Sequence, residues 1–248
     1  MKKSAILAVI VSIVFVLFSA VMANAVVSFT FDDGWSDSYN YAYPVLSKYG
    51  YVGTLFIISG DVGSWDGILT WNQISTLHSR GWEVANHTHS HPDLTTLSDS
   101  ALALELDQSV SEFRAHGYTK LGFATPYGSY DDRVLKAIKS RFVYHRTAWD
   151  DGSPMDKYHI TVYYDFDNTT TLADIQWFVT EYPDAWLVFC VHRVLPQTLY
   201  NQLSADDQQY AITQELFNQI ASYLHTQGIK AITVMQGTNY YFINRPWK

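Results

Sequence analysis

The chain begins with Lys2 and Lys3, runs apolar from Ala5 to Ala23 and ends this stretch on Ala23-Asn24-Ala25. A charged start, an apolar core and a small-x-small close predict a secretory signal peptide over residues 1–25. The run is just long enough to span a bilayer, so an uncleaved anchor is the alternative, with membrane association as its consequence. Beyond it, short β-prone runs alternate with helical ones. Val26–Phe31 predicts a strand, Ser38–Lys48 a helix closed by Gly50, Thr54–Ile58 a strand, and Thr70 caps a helix with Trp71, Ile74 and Leu77 on one face. Trp82–Asn86 predicts a third strand. Ser98 opens a long helix that turns Leu102, Leu106, Val110 and Phe113 to one side and stops at Gly117.

Further along, the pattern predicts strands at Leu121–Ala124, Phe142–His145, Ile160–Tyr164, Trp186–Val191 and Ala231–Met235. It predicts helices at Asp131–Lys139, Thr171–Thr180 and Ala205–Thr226. Seven or eight strands with helices between most of them describe an α/β fold, either a barrel or an open doubly wound sheet. No linker-like stretch or internal repeat divides residues 26–248, which read as one domain.

Composition narrows the chemistry. Cys190 is the single cysteine, so no intrachain disulfide forms. The formal charge is -8, and more negative without the two leader lysines. That argues against nucleic acid and suits a neutral polymer, or one that becomes cationic as it is processed.

Polar clusters follow three of the strands, at the rim where α/β barrels collect their active-site residues. Asp32-Asp33-Gly34 follows the first. Adjacent carboxylates can divide labour between cation and proton, although such a sequence is also a common turn. His87-Thr88-His89-Ser90-His91-Pro92 places three of the nine histidines within five positions. Two imidazoles four apart and one carboxylate form a donor set that Zn²⁺ accepts while keeping a place for water. Pro92 and the intervening residues exclude the helical HExxH arrangement. His192 ends Leu187–Val191, and alternation puts it on the side of Val188 and Cys190. Such a histidine is placed to protonate a leaving group, or is a satisfied structural residue. Cys190 reads as a small buried hydrophobe.

In order, Thr30-Phe31-Asp32-Asp33-Gly34, His87-Thr88-x-x-His91-Pro92, Thr125-Pro126-Tyr127-Gly128 and Leu187–His192 resemble the motifs of the polysaccharide deacetylase family, the NodB-homology domain of the carbohydrate esterases. The resemblance implies a distorted (β/α) barrel, usually seven-stranded. It implies one divalent metal ion, Zn²⁺ by preference, held by Asp33, His87 and His91. Asp32 would be the base and His192 the acid. The backbone N–H of Tyr127 would face the oxyanion. The implied substrate is an N-acetylated glycan and the implied reaction removal of its acetyl groups. Apart from the resemblance, the aromatic residues near the rim loops offer stacking faces for a sugar, Trp35 and Tyr127 first and Trp65 and Trp149 after them, and His89 is expected to point away from the metal.

Two departures stand out. The family's third motif commonly begins with an arginine beside the base, where this chain has Ala124. Arg146, after another strand candidate, could return that guanidinium. The motif expected to orient the acid is not cleanly present, and Trp149-Asp150-Asp151 comes nearest. Hydrolysis of another C–N or ester bond on the same fold, and a sugar-binding domain weakened in turnover, are the competing readings.

Overall fold

The computed structural model describes residues 25–149 and 152–243. Residues 1–24, on which the expected signal peptide falls, the Asp150-Asp151 pair and residues 244–248 lie outside the described residues.

Among the described residues there are ten strands: β1 (Val26–Phe31), β2 (Gly53–Ile57), β3 (Glu83–Asn86), β4 (Phe123–Ala124), β5 (His145–Arg146), β6 (Tyr164–Asp165), β7 (Trp186–Val191), β8 (Arg193–Leu195), β9 (Ala211–Thr213) and β10 (Lys230–Ala231). The main sheet follows the order β5-β4-β3-β2-β1-β7-β6, and every pairing in it is parallel. β10 pairs with Val26 and Val27, on the edge of β1 whose upper half pairs with β2. Seven parallel strands curl into a half-barrel with helices outside, the distorted (β/α) barrel that the motifs imply.

The helices are α1 (Tyr43–Lys48), α2 (Trp71–Ser79), α3 (Asp99–Ala115), α4 (Asp132–Lys139), α5 (Leu172–Glu181), α6 (Gln197–Tyr200), α7 (Ala205–Gln208), α8 (Gln214–Thr226) and α9 (Val234–Thr238). Their starts follow the capping chemistry of the sequence. Thr70 and Gln73 form a capping box at α2, and the Ser98 hydroxyl accepts from Ala101 N–H at α3. Before α1 the backbone makes a π-turn over Ser38–Ala42, in which Tyr43 N–H reaches back to Ser38 O. Pro44, with no N–H of its own, then sits in the first turn of α1, where none is needed.

Strand alternation divides the apolar residues into two layers. Phe29, Phe31, Leu187, Phe189 and Val191 face outward to the helices, and Phe217 of α8 packs edge-on against Phe29 at 5.4 Å. Phe56, Ala85, Ala124, Val188 and Cys190 face the barrel interior. Ser28 and Thr30 are register partners of Val188 and Cys190, so the even-numbered residues of β1 face inward too.

Several elements differ from the sequence expectation. The helix expected over Ala205–Thr226 is three elements: α7, β9 and α8. Ala211–Thr213 pairs in parallel with Arg193–Leu195, and the Thr213 hydroxyl caps α8 by accepting from Leu216 N–H. The pairing of β8 with β9 is a tertiary event that local periodicity does not encode. The strands expected at Phe142–His145 and Ile160–Tyr164 shift and shrink to β5 and β6, with Ile160 in a lone bridge to Arg146. Ala231–Met235 is a strand only at its start, because Thr233 forms a capping box with Gln236 and begins α9.

Candidate active site

Register carries the polar residues to one level. Phe31 pairs with Val191, so Asp32 and His192 emerge side by side, and Asp32 N–H extends the ladder to Val191 O at 3.1 Å. Ile57 pairs with Asn86 and Asn86 with Phe123, which sets His87 beside Ala124. Ala124 in turn pairs with Arg146, and Asp165 with Cys190.

Asp33, His87 and His91 converge. His87 Nε2 and His91 Nε2 are 3.2 Å apart, and Asp33 Oδ1 lies 3.6 Å from the first and 3.4 Å from the second. Metal–ligand bonds of about 2.0–2.2 Å put neighbouring donors of a tetrahedral ion roughly 3.3–3.6 Å apart. The three atoms have the spacing of one face of such a tetrahedron, so the donor set fits a divalent ion.

Each donor is aimed by a partner. His87 Nδ1 donates to Ala124 O at 2.8 Å, which leaves Nε2 with its lone pair toward the cluster. Burial pulls the His87 pKa down to about 4 against the opposing pull of Asp32 and Asp33, so the ring is the neutral form that binds metal. Trp35 Nε1–H donates to Asp33 Oδ2 at 3.3 Å and leaves Oδ1 for the cluster. Arg193 lies over the Trp35 ring at 4.3 Å and is itself held by Asp37 at 2.7 Å. Trp35 therefore touches a site carboxylate directly, a role distinct from the sugar stacking expected of it.

The backbone here is strained. Among the described residues, Asp33, Thr88, His91 and Tyr127 are the non-glycine positions with positive φ, at 69°, 70°, 60° and 57°. Such conformations cost on the order of 1–3 kcal/mol each and persist where neighbours hold them. α3 supplies the hold. Glu105 Oε1 accepts from His89 N–H at 2.8 Å and Ser90 N–H at 2.6 Å, and its Oε2 accepts from the Ser90 hydroxyl at 3.0 Å. Ser109 accepts from Asn86 Nδ2 and donates to Thr88 O, while Thr88 Oγ1 accepts from His91 N–H at 2.9 Å. The sequence reading missed Glu105 and Ser109. Their signal was present: they share the buried face of α3 with Leu102, Leu106 and Phe113, where a polar side chain needs a partner.

Glu105→Ala leaves two loop N–H groups without their acceptor. It is expected to cost about 3 kcal/mol of stability and about 10–100-fold in metal affinity. Thermal unfolding and metal titration measure the two effects.

Asp32 is 5% exposed and paired through Oδ2 with Nη2 of Arg146, itself 2% exposed. Burial pushes the Asp32 carboxyl up, but the cations beside it, Arg146 foremost, outweigh it and hold the pKa below the usual range. Arg146 thus brings a guanidinium to the aspartate from β5, one strand over from Ala124 and in register with it. Its Cζ sits over Phe56 at 4.7 Å.

His192 Nδ1 faces Asp165 Oδ1 at 3.5 Å. Burial lowers the pKa of His192, but Asp165 and Asp32 more than offset this and raise it to about 9. Trp149 and Asp150-Asp151 were the expected neighbours of His192. Trp149 instead lies over Gly128, where an added Cβ would come within 2.8 Å of its ring, and the two acids lie outside the described residues. Asp165 directly follows the Ile160–Tyr164 run, as Asp32 follows Val26–Phe31, and that parallel could have marked it.

Tyr127 is 60% exposed, in the positive-φ turn after β4, with its ring 4.7 Å from that of His91. Trp65 packs edge-on against Trp35 at 5.6 Å and is 54% exposed. His89 points away from the cluster, toward Glu112 at 3.3 Å and Ser59 at 3.4 Å.

Comparison with known proteins agrees with this frame. Residues 20–142 match the family model for polysaccharide deacetylase. A putative polysaccharide deacetylase of Bacillus subtilis is 35% identical over 112 residues, 44% of this chain and 39% of that protein. Chitin deacetylase 2 of Cryptococcus neoformans is 33% identical over 105 residues, 42% of this chain and 22% of that protein. The chain thus spans less than half the length of these curated relatives. The structure of a peptidoglycan deacetylase from Bacillus subtilis superposes with a TM-score of 0.58 at 21% identity, covering 85% of this chain and 88% of the other. That likeness covers more of the chain than residues 20–142 and carries the fold. The motif order, the family match and the shared barrel lead to one conclusion: the chain belongs to the polysaccharide deacetylase family.

Proposed function

We propose that this chain is a metal-dependent hydrolase that removes acetyl groups from N-acetylated sugar units of a polysaccharide or oligosaccharide. The observation that carries the reading is the convergence of Asp33, His87 and His91 at 3.2–3.6 Å beside Asp32 and His192. A divalent ion held by the three, Zn²⁺ by its donor preference, supplies polarisation of the amide carbonyl and a bound water of lowered pKa.

The chain's own residues complete the chemistry. Asp32, kept ionised by Arg146, takes a proton from the attacking water. The Tyr127 N–H donates to the carbonyl oxygen as charge develops there. His192, kept charged by Asp165, gives a proton to the departing nitrogen, without which an amine is a poor leaving group. One proton enters Asp32 and one leaves His192. The products are acetate and a free amino sugar. The net charge of -8 suits a polymer that gains positive charge with each acetyl group lost. The leader sequence supports action outside the cytoplasm, which cell fractionation tests.

Acetate release from N-acetylated oligosaccharides by purified protein tests the reading. Chelation is expected to abolish release, and added Zn²⁺ to restore it. Unchanged release from protein proven metal-free, or none from any N-acetylated glycan with metal bound, overturns it.

The Asp165 contact makes a pH prediction. The alkaline limb of the kcat profile is lost as His192 deprotonates, and the carboxylate favours the charged ring. Asp165→Asn is therefore expected to move that limb to lower pH and leave the acid limb, set by Asp32, in place. A profile whose alkaline limb does not move removes Asp165 from this role.

A further inference from the structure

The sequence marked Cys190 as a small buried hydrophobe, and it is buried in the barrel interior at 3% exposure. Its neighbours give it a second property. We propose that Asp32, Cys190 and His192 form a second cation site, selective for thiophilic ions such as Cd²⁺ and filled by Zn²⁺ in excess, whose occupation silences turnover.

Register builds the site. Thr30 pairs with Cys190, so the thiol stands on the inner face one step below Asp32 and His192. The three residues offer ligand atoms that all lie within 4.8 Å of one another. Donors around one ion sit roughly 3.3–3.8 Å apart for bonds of about 2.0–2.3 Å, so small side-chain rotations close the shell. Three polar atoms there are buried and make no hydrogen bond among the described residues: Asp32 Oδ1, Arg146 Nε and His192 Nδ1. Asp165, 3.5 Å from that same nitrogen, adds a second carboxylate. Once His192 and Cys190 have lost their protons, two carboxylates and a thiolate face the one Arg146 guanidinium, which leaves the spot favourable to a cation.

Donor softness separates this site from the first. Asp33, His87 and His91 offer only oxygen and nitrogen, whereas a thiolate selects soft ions. On binding, the Cys190 thiol and the charged His192 ring each release a proton to solvent, the sulfur–metal and nitrogen–metal bonds form, and no atom is oxidised or reduced. With Asp32 and His192 both ligated, neither is free to move a proton. This consequence for turnover rests on the roles proposed above, but the binding itself does not.

The test is a CdCl₂ titration of the purified chain. It reads the ultraviolet charge-transfer absorption of a cadmium–thiolate bond, with bound metal counted by equilibrium dialysis. The wild-type chain is expected to bind one more Cd²⁺ than Cys190→Ala or Cys190→Ser, and to develop the thiolate band. His91→Ala, weakened at the first site, is expected to keep the band. Absence of the band in the wild-type chain, which needs no variant, overturns the site. So does equal stoichiometry in wild type and variants whose melting curves show them folded. In the Zn²⁺-loaded enzyme, acetate release is expected to fall as the band grows. A band without that fall overturns the silencing. If no glycan is deacetylated at all, the band and stoichiometry still decide the site, while the proposed function fails separately.

Discussion

His192→Ala is expected to lower kcat by about 10²–10⁴-fold, the usual contribution of a positioned acid, with KM little changed. The ring stands beside Asp32 at the barrel rim, with Nδ1 toward Asp165 at 3.5 Å. Its pKa, raised to about 9, keeps it protonated through neutral pH. Expulsion of an amine needs that proton, whereas formation of the tetrahedral species does not. The loss therefore belongs to nitrogen departure. An ester analogue, whose alkoxide leaves more readily, is expected to lose far less than an amide. Comparing acetate release from matched ester and amide substrates by wild type and variant reads this directly. Equal losses on both would assign His192 a different task, and retention of most amide activity would remove it from the mechanism.

Arg146→Ala is expected to destabilise the fold by about 3–5 kcal/mol at neutral pH, the scale for removing one partner of a buried ion pair. Arg146 and Asp32 are 2% and 5% exposed. In the wild-type chain the folded Asp32 pKa lies below its unfolded value. The pair's contribution is therefore complete above the unfolded carboxylate pKa, and is lost as pH falls through the folded one. Without Arg146, the burial that pushes the carboxyl up is no longer countered by its nearest cation. The penalty is then largest where Asp32 must be charged and shrinks as acid protonates it. Denaturant midpoints of wild type and variant are expected to converge toward low pH. Activity is expected to fall as well, because a protonated Asp32 takes no proton from water. Ala124 and Arg146 are register partners, so restoring a guanidinium from the other strand is a sharper trial. Ala124→Arg in the Arg146→Ala background is expected to recover part of both losses. No recovery of either would tie the effect to packing over Phe56 and not to the charge.

Much of this protein is legible in the chain because its signals are local. The inside–outside alternation of Leu187–Val191 follows from pleat geometry, and the caps at Thr70 and Ser98 from hydroxyls one turn ahead of free N–H groups. The ordered Asp33, His87 and His91 were readable for a similar reason: each sits at or just beyond a strand end, within a short motif whose residue types name the chemistry. The first part of the expected Ala205–Thr226 helix was lost because β9 exists only by pairing with β8. A segment of three residues has no periodicity strong enough to announce it.

What only the tertiary structure decided is which side chains serve the named ones. Arg146 meets Asp32 across 114 positions of sequence, and Asp165 meets His192 across a strand pairing. Glu105 and Ser109 hold the histidine loop from a helix that follows it. Each of these contacts depends on parallel register, which is fixed when the whole sheet forms and not by neighbours along the chain. By itself, the sequence determined the α/β class, and its ordered motifs pointed to the barrel and to Asp33, His87 and His91. The fold decided that the guanidinium absent at Ala124 arrives from the next strand, and that the histidine beside it is steered by Asp165.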